Sequence, residues 1–172
     1  DVVDKIANWT IDIKSPLHSK AKLDEFYFNL KIDSSSVIFS DFLPLYWSVA
    51  TDDGVQGGGA GGAKFNFTAL DPSGKPDAAN VTNDQNLTFV ATLNNNWTES
   101  MFYDADVWKS SDKDLGGGQL GAHLQSLTKV AGDTTDSGFA VGNYAPVPEP
   151  ATMLLFGTGL AGLAAVARRR RN

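Results

Sequence analysis

Along the first 146 residues, apolar and polar side chains alternate more often than they recur at helical spacing. The apolar members of the two clearest runs are Phe26, Phe28, Leu30 and Ile32 and, further on, Phe65, Phe67 and Ala69. A period of two is typical of a strand with one buried face. We therefore expect Phe28 and Phe67 to face a core, and Tyr27 and Asn66 to face outward.

Six further segments have the composition of strands and are bounded by turn-forming residues. They are residues 36–39, 46–50, 86–93, 101–108, 120–127 and 138–144. The stretch 54–63 is rich in glycine and lies between two predicted strands, so we expect a flexible loop there. About eight short strands and no long helix in the body favour an all-β fold, namely an antiparallel β-sandwich of jelly-roll-like kind.

The tail, residues 147–172, has a different composition. Its parts are Val147, Pro148, Glu149 and Pro150, then an uncharged run over residues 151–167, and then Arg168, Arg169, Arg170 and Arg171. At about 1.5 Å per residue, a helix over the uncharged run is about 25 Å long, close to the lower limit for crossing a bilayer. The run lacks the polar face that a surface helix of a soluble domain shows. We therefore expect a C-terminal transmembrane helix, with the arginines as a stop on the cytoplasmic side.

This order of a Pro-Glu-Pro motif, a small-residue-rich apolar segment and an arginine cluster closely resembles the PEP-CTERM protein-sorting signal. The resemblance implies export across the inner membrane of a Gram-negative bacterium, transient anchoring in that membrane and processing near Pro148-Glu149-Pro150 by an exosortase. It also implies two parts, an extracellular domain over residues 1–146 and the sorting signal over residues 147–172. The chain begins without a basic segment followed by an apolar core, so we expect its numbering to start at a mature or trimmed N-terminus.

A second resemblance covers the body and, together with residues 26–30 upstream, spans most of residues 24–146. Residues 121–127 and 136–139 are similar to the Ala-His-Val-Gln to Ser-Gly ending found in many PEP-CTERM proteins. Leu124 stands where valine is usual. This resemblance supports the fold and the destination, and it implies no reaction.

Charge and cysteine content narrow the choice of partners. No cysteine is present, which excludes disulfides and thiolate metal sites. Residues 1–150 contain ten lysines, no arginine and 20 acidic residues, which gives a net charge of −10. Such an acidic body argues against nucleic acid and against an anionic membrane surface as its partners. Calcium, neutral glycans and basic proteins remain compatible with it.

Candidate catalytic residues are few. The chain has two histidines, and a triad of His123 with Ser137 and Asp136 is not expected, because no nucleophile elbow surrounds the serine. Glu25 and Glu99 are the glutamates that precede the tail, and they are the first candidates for a glycosidase pair. We expect no catalytic residues and no enzymatic activity.

A binding surface is the more favourable interpretation of the aromatic residues. If the segment 101–108 is a strand with Met101 facing inward, its outward side chains stand together beside an aromatic residue of the preceding turn. The outward set is Trp97, Phe102, Asp104, Asp106 and Trp108. Aromatic rings beside carboxylates can stack on sugar rings and bond their hydroxyls, so this set is a candidate glycan-binding surface. In the alternative register, Trp108 packs in the core.

Acidic pairs offer a second kind of site. Asp52 and Asp53, and further on Asp112 and Asp114, could combine with backbone carbonyls to hold a structural Ca²⁺. Solvated surface acids explain the same pairs more simply. No other cofactor is expected.

These patterns predict an exported, exosortase-processed and non-catalytic protein of the cell surface or of the extracellular polysaccharide matrix of a biofilm. Glycan binding is a sharper version of that hypothesis. The alternative is a secreted hydrolase that acts on the matrix polysaccharide, which needs a cleft with clustered Glu, Asp or His.

Overall fold

The structure is a computed structural model that describes residues 2–56, 64–72, 74–103, 118–129 and 136–145. The predicted transmembrane helix and most of the glycine-rich segment lie outside these ranges. Within them, no helix has the length and apolar character that crossing a bilayer requires.

Ten strands and three short helical turns make up the described part of the chain. The strands are β1 (Val2–Val3), β2 (Ile6–Ile11), β3 (Lys22–Phe28), β4 (Val37–Leu43), β5 (Ser48–Gln56), β6 (Lys64–Leu70), β7 (Val81–Thr82), β8 (Leu87–Leu93), β9 (Leu120–Gln125) and β10 (Gly138–Gly142). The helical turns are α1 (Ser100–Tyr103) and the 3₁₀ turns Ser34–Ser36 and Asp77–Ala79.

All the strand pairs are antiparallel, and they form two sheets. The first sheet has the order β1-β2-β8-β4, and the second has the order β10-β9-β3-β6-β5, with β7 also paired to β3. The chain passes repeatedly between them, since β2, β4 and β8 of the first sheet alternate with β3, β5–β6 and β9–β10 of the second. The predicted all-β, antiparallel class is confirmed.

Two of the sequence-based assignments of secondary structure are wrong. The segment predicted as a strand over 101–108 begins as α1, because turns close from Met101 N–H to Thr98 O at 3.1 Å and from Phe102 N–H to Glu99 O at 3.0 Å. Residues 54–56, assigned to a flexible loop, belong to β5. The sequence reading also missed β2, which pairs with β8 from Ile6 opposite Thr92 to Ile11 opposite Leu87.

Aromatic rings from both sheets meet in one core around Phe28 of β3, which is fully buried. Its ring centroid lies 4.8 Å from that of Trp9 in β2, 6.1 Å from that of Phe89 in β8 and 5.2 Å from that of Phe67 in β6. Trp9 and Phe89 are also direct cross-strand partners whose rings stack at 5.5 Å. The predicted inward positions of Phe28 and Phe67 are therefore confirmed.

The other face of the second sheet carries a smaller aromatic cluster, which the sequence reading did not predict. Tyr27 is 0% exposed, and its ring lies 5.3 Å from Phe65 and 5.5 Å from Phe139. The expectation that Tyr27 faces solvent is wrong, because this second face is covered as well. Phe65 packs with Tyr27 and not with Phe67, and this change of side coincides with a register shift in β5 between Thr51 and Val55.

A glycine makes room for this outer cluster. Gly121 of β9 lies directly opposite Tyr27 in the sheet. A Cβ added to Gly121 would approach the Phe139 ring to 2.8 Å and the Phe65 ring to 2.9 Å. Both distances are well inside van der Waals contact, so the rings can pack here only because residue 121 has no side chain.

Substitution of Phe28 and of Tyr27 tests the two clusters. Phe28→Ala and Tyr27→Ala should each lower the free energy of unfolding by about 3–5 kcal/mol, because each empties a fully buried aromatic position. Leu17→Ala is the control, since Leu17 is 81% exposed, and it should change stability by about 0.5 kcal/mol or less. Urea denaturation measures all three. A Tyr27→Ala variant as stable as the control would show that the outer cluster does not contribute.

The glycines of β9 and β10 provide a second comparison. Gly121→Ala should cost about 1–3 kcal/mol, because the Phe65 and Phe139 rings must shift to accommodate the new methyl group. Gly142→Ala should leave stability unchanged or slightly raised, since a Cβ there meets no atom within 4 Å. Equal thermal unfolding midpoints for the two variants would contradict the packing described for Gly121.

Candidate functional site

A bulge in β3 brings acidic side chains to a histidine of β9. Leu23 pairs with Leu124 and Glu25 pairs with His123, so Asp24 is an extra residue without a partner in β9. A bulge of this kind sets two residues of one strand against one residue of its neighbour and re-aims their side chains. Asp24 and Glu25 consequently both lie beside His123.

The three side chains form a compact group. His123 Nδ1 is 2.7 Å from Asp24 Oδ2, and the two side chains are 17% and 26% exposed. One ligand atom from each of Asp24, Glu25 and His123 lies within 4.8 Å of the other two. We call these three residues the Asp–Glu–His cluster. Its partial exposure leaves it accessible to a small solute or an ion.

Neighbouring groups hold the cluster and shape its electrostatics. The Tyr27 hydroxyl donates a hydrogen bond to Glu25 Oε2. The Asp71 N–H donates to the Asp24 carbonyl oxygen at 3.0 Å. Burial, followed by the negative charge of Asp24, raises the pKa of the Asp71 carboxyl, while Lys22 acts in the opposite direction. The carboxylates of Asp24 and Asp71 are thus close enough to repel each other, and Lys22 offsets part of that repulsion.

The catalytic candidates from the sequence are not brought together. Within the described residues, His123 pairs with Asp24 and not with Asp136, whose carbonyl oxygen instead accepts a hydrogen bond from Leu127 N–H at 2.7 Å. Ser137 is exposed and precedes Gly138, the residue opposite Leu124. Glu25 belongs to the Asp–Glu–His cluster, whereas Glu99 is exposed just before α1.

Two aromatic residues of the candidate glycan-binding surface, Trp97 and Phe102, face the core instead of solvent. Trp97 is only 6% exposed, its indole N–H donates to Lys5 O at 3.1 Å, and its ring stacks on Phe102 at 5.4 Å. Phe102 in turn packs against Trp9 and Tyr144. The expectation that Trp97 and Phe102 point outward is therefore wrong, because the turn and α1 fold both rings onto the core.

The other predicted site residues lie outside what the structure describes. From the glycan-binding set these are Asp104, Asp106 and Trp108, and from the calcium set they are Asp112 and Asp114. Asp52 and Asp53 belong to β5, but their side chains are not described. The sorting motif, Val147 to Pro150, and the arginines, Arg168 to Arg171, are also outside the described ranges.

The sequence contains one indication of the Asp–Glu–His cluster that the predictions did not use. Leu23 and Phe26 are both buried although they are three residues apart, a spacing that an unbroken strand cannot place on one face. The two consecutive acids between them mark the point where the alternation shifts by one residue. That shift indicates a bulge, although nothing local to it indicates His123, which is 99 residues away.

The pKa of Asp71 leads to a prediction on pH dependence. A carboxyl whose pKa is raised on folding lowers stability once the pH exceeds the unfolded-state value, and this penalty is absent at lower pH. Asp71→Asn should therefore raise the urea midpoint at pH 7 and lose that advantage below pH 3.8, the ordinary pKa of the group. A midpoint at pH 7 equal to or below that of the unsubstituted chain would contradict the raised pKa that burial and the charge of Asp24 give to this carboxyl.

Asp33 supplies a control of opposite sign. Hydrogen bonds from the Ser35 N–H and hydroxyl lower the pKa of the exposed Asp33 carboxyl. A lowered pKa contributes stability at neutral pH that disappears as the pH falls, so Asp33→Asn should slightly lower the midpoint at pH 7.

The comparisons with known proteins concern the tail. The family model of the PEP-CTERM protein-sorting motif matches residues 146–171. No curated protein and no solved structure matches the chain. The motif implies export, a membrane-anchored intermediate and processing by an exosortase. The resemblance seen in the sequence is confirmed: residues 146–171 of this chain are a PEP-CTERM protein-sorting motif.

Proposed function

We propose that this chain is an exported, exosortase-processed protein that acts without catalysis at the cell surface or in the extracellular polysaccharide matrix. The observation that carries the proposal is the sorting motif at residues 146–171. Its uncharged run and terminal arginines suit a transient transmembrane anchor in the inner membrane. The chain is then the substrate of a processing enzyme.

The end of the described body supports a boundary between residues 146 and 147. After β10, Tyr144 returns to the core, where its ring lies 5.4 Å from Phe102 and 6.2 Å from Trp9. Its hydroxyl donates to the Asn29 carbonyl oxygen at 3.1 Å. These contacts hold the chain against the body as far as Tyr144, which is two residues before Pro146. Removal of the tail beyond that point would cut none of them, so we propose that the body keeps its fold after processing.

We further propose that the body is a β-sandwich with jelly-roll-like alternation between its sheets. The support is the packing of Trp9 and Phe89 of one sheet against Phe28 of the other. The repeated passage of the chain between the sheets is consistent with this arrangement.

The charge of the body is compatible with a neutral extracellular partner. A net charge of −10 and the absence of arginine before residue 168 disfavour anionic lipids and acidic polymers. Among the partners that this charge allows, a neutral matrix polysaccharide is the one that we propose. Since Trp97 and Phe102 lie in the core, the surface for such a partner has to be sought elsewhere on the body.

The secreted hydrolase remains the rival. The observation that favours it is the half-buried Asp24–His123 pair with Glu25 beside it, because such a group can hold and transfer a proton. The test is the release of reducing sugar from matrix polysaccharide. Release that persists in Glu99→Gln and is lost in Glu25→Gln would favour the hydrolase and contradict the non-catalytic role.

Expression in a host with an exosortase, and in the same host without it, tests the proposal. We expect the exosortase-containing host to release a body that lacks the uncharged run. In the exosortase-deficient host, we expect the intact chain in the membrane fraction. Cell fractionation followed by intact-mass measurement distinguishes the two products. Release of the same species from both hosts would contradict exosortase processing.

A double variant of the tail serves as the matched control. Leu155→Asp combined with Leu160→Asp keeps the tail length but adds about 2.5–3.5 kcal/mol of insertion cost for each charge. In the exosortase-deficient host, this variant should no longer be found in the membrane fraction, while the body stays folded. Unchanged membrane association of the double variant would contradict the transmembrane anchor.

A further inference from the structure

We propose that the Asp–Glu–His cluster of Asp24, Glu25 and His123 binds a divalent transition-metal cation of the Zn²⁺ type. This inference goes beyond the proposed function, since neither export nor processing of the chain requires a metal. It rests on the described residues of β3, β6 and β9.

The spacing of the three residues suits a single cation. Zinc binds imidazole nitrogen and carboxylate oxygen at about 2.0–2.2 Å, so two ligands of one zinc lie about 3.3 Å apart in a tetrahedral site. The ligand atoms of the cluster lie within 4.8 Å of one another, and His123 Nδ1 is 2.7 Å from Asp24 Oδ2. Side-chain rotations that move the ligand atoms by about 1–1.5 Å are enough to reach the spacing of a tetrahedral zinc site. The bulge already places the backbone of Asp24 and Glu25 beside His123, so that only the side chains have to move.

The types of ligand select the class of metal. One imidazole and two carboxylates match the ligands that zinc and its neighbours accept. Calcium is bound by oxygen ligands alone and gains little from a histidine. The three residues leave at least one coordination position for water, as in zinc sites that are not purely structural.

Groups around the cluster resemble the outer shell of a metal site. Tyr27 donates its hydroxyl proton to Glu25, and its ring is fixed between Phe65 and Phe139. Such hydrogen bonds from neighbouring residues orient metal-bound carboxylates. The Asp71 N–H donates to the Asp24 carbonyl oxygen at 3.0 Å and so holds the backbone of the bulge in place beside the cluster.

A buried hydroxyl on the same face provides an independent observation. Thr68 of β6 lies opposite Tyr27 and, two residues from Leu70, is diagonal to Glu25. Thr68 is 0% exposed, and its Oγ1 has no hydrogen-bond partner in the part of the chain that the structure describes. Buried hydroxyls are nearly always satisfied, and a metal-bound water at the neighbouring cluster is a group that could satisfy this one.

Metal titration of the full chain in detergent micelles tests the proposal. After treatment with a chelator and dialysis, calorimetric titration with Zn²⁺ should give one ion per chain. His123→Gln and Asp24→Asn should each weaken the affinity at least tenfold. Tyr27→Phe keeps the ring packing and should weaken the affinity by about tenfold through loss of the hydroxyl alone. His18→Gln is the matched control, because His18 is not part of the cluster, and it should bind zinc as tightly as the unsubstituted chain.

Several results would overturn the metal site. Zinc binding that is absent, that is equally tight in His123→Gln, or that is matched by Ca²⁺ would each do so. The folding of each variant is checked by its near-ultraviolet circular dichroism. If a variant fails to fold, the absorption spectrum of the unsubstituted chain with Co²⁺ decides. Visible bands of a four- or five-coordinate Co²⁺ site support the proposal, and the spectrum of hexaaquo Co²⁺ contradicts it.

Discussion

The contact between Phe28 and the rings that surround it joins the two sheets, and the rest of the structure depends on it. Phe28 comes from the second sheet, and Trp9 and Phe89 approach it from the first, with centroid distances of 4.8 Å and 6.1 Å. The chain has no cysteine, so burial of such rings has to supply the stability that disulfides give to many exported domains. Trp9 extends the same packing to Tyr144 at the end of the described body.

Strand β3 connects this core to the Asp–Glu–His cluster. Its inner face contributes Phe26 and Phe28 to the core, and its outer face carries Glu25 and Tyr27. The bulge at Asp24 interrupts the pairing with β9, and it lies where β3 changes its neighbour on the other side from β7 to β6. A side chain on such a strand is held by packing on both faces. The geometry of the cluster is therefore set by the same interactions that hold the sheets together.

Features that depend only on residues close together in the chain could be predicted from the sequence. Alternation was enough to locate β6, and composition between turn-forming residues was enough to locate β8. The sorting motif could be identified from residue order alone, because its parts follow one another directly in the chain. Local patterns did not settle that Tyr27 is buried, since a tyrosine between Phe26 and Phe28 suits a solvent-facing position as well as a covered one. Trp97 was misplaced because it is held against the core by hydrogen bonds to Asp4 O and Lys5 O, which are distant from it in sequence. The Asp–Glu–His cluster could not be predicted, since Asp24 and His123 meet only through the pairing of strands that are distant in sequence.

The central claim is that the aromatic core makes the two sheets one cooperative unit. Native-state hydrogen exchange of the body, with and without Phe28→Ala, tests it most directly. The account predicts that the slowest amides of β3 and of β8 open with the same free energy, and that Phe28→Ala lowers both values by the same amount. A substitution that lowers protection in β3 and leaves β8 unchanged would contradict the claim, because the two sheets would then be stable independently of each other.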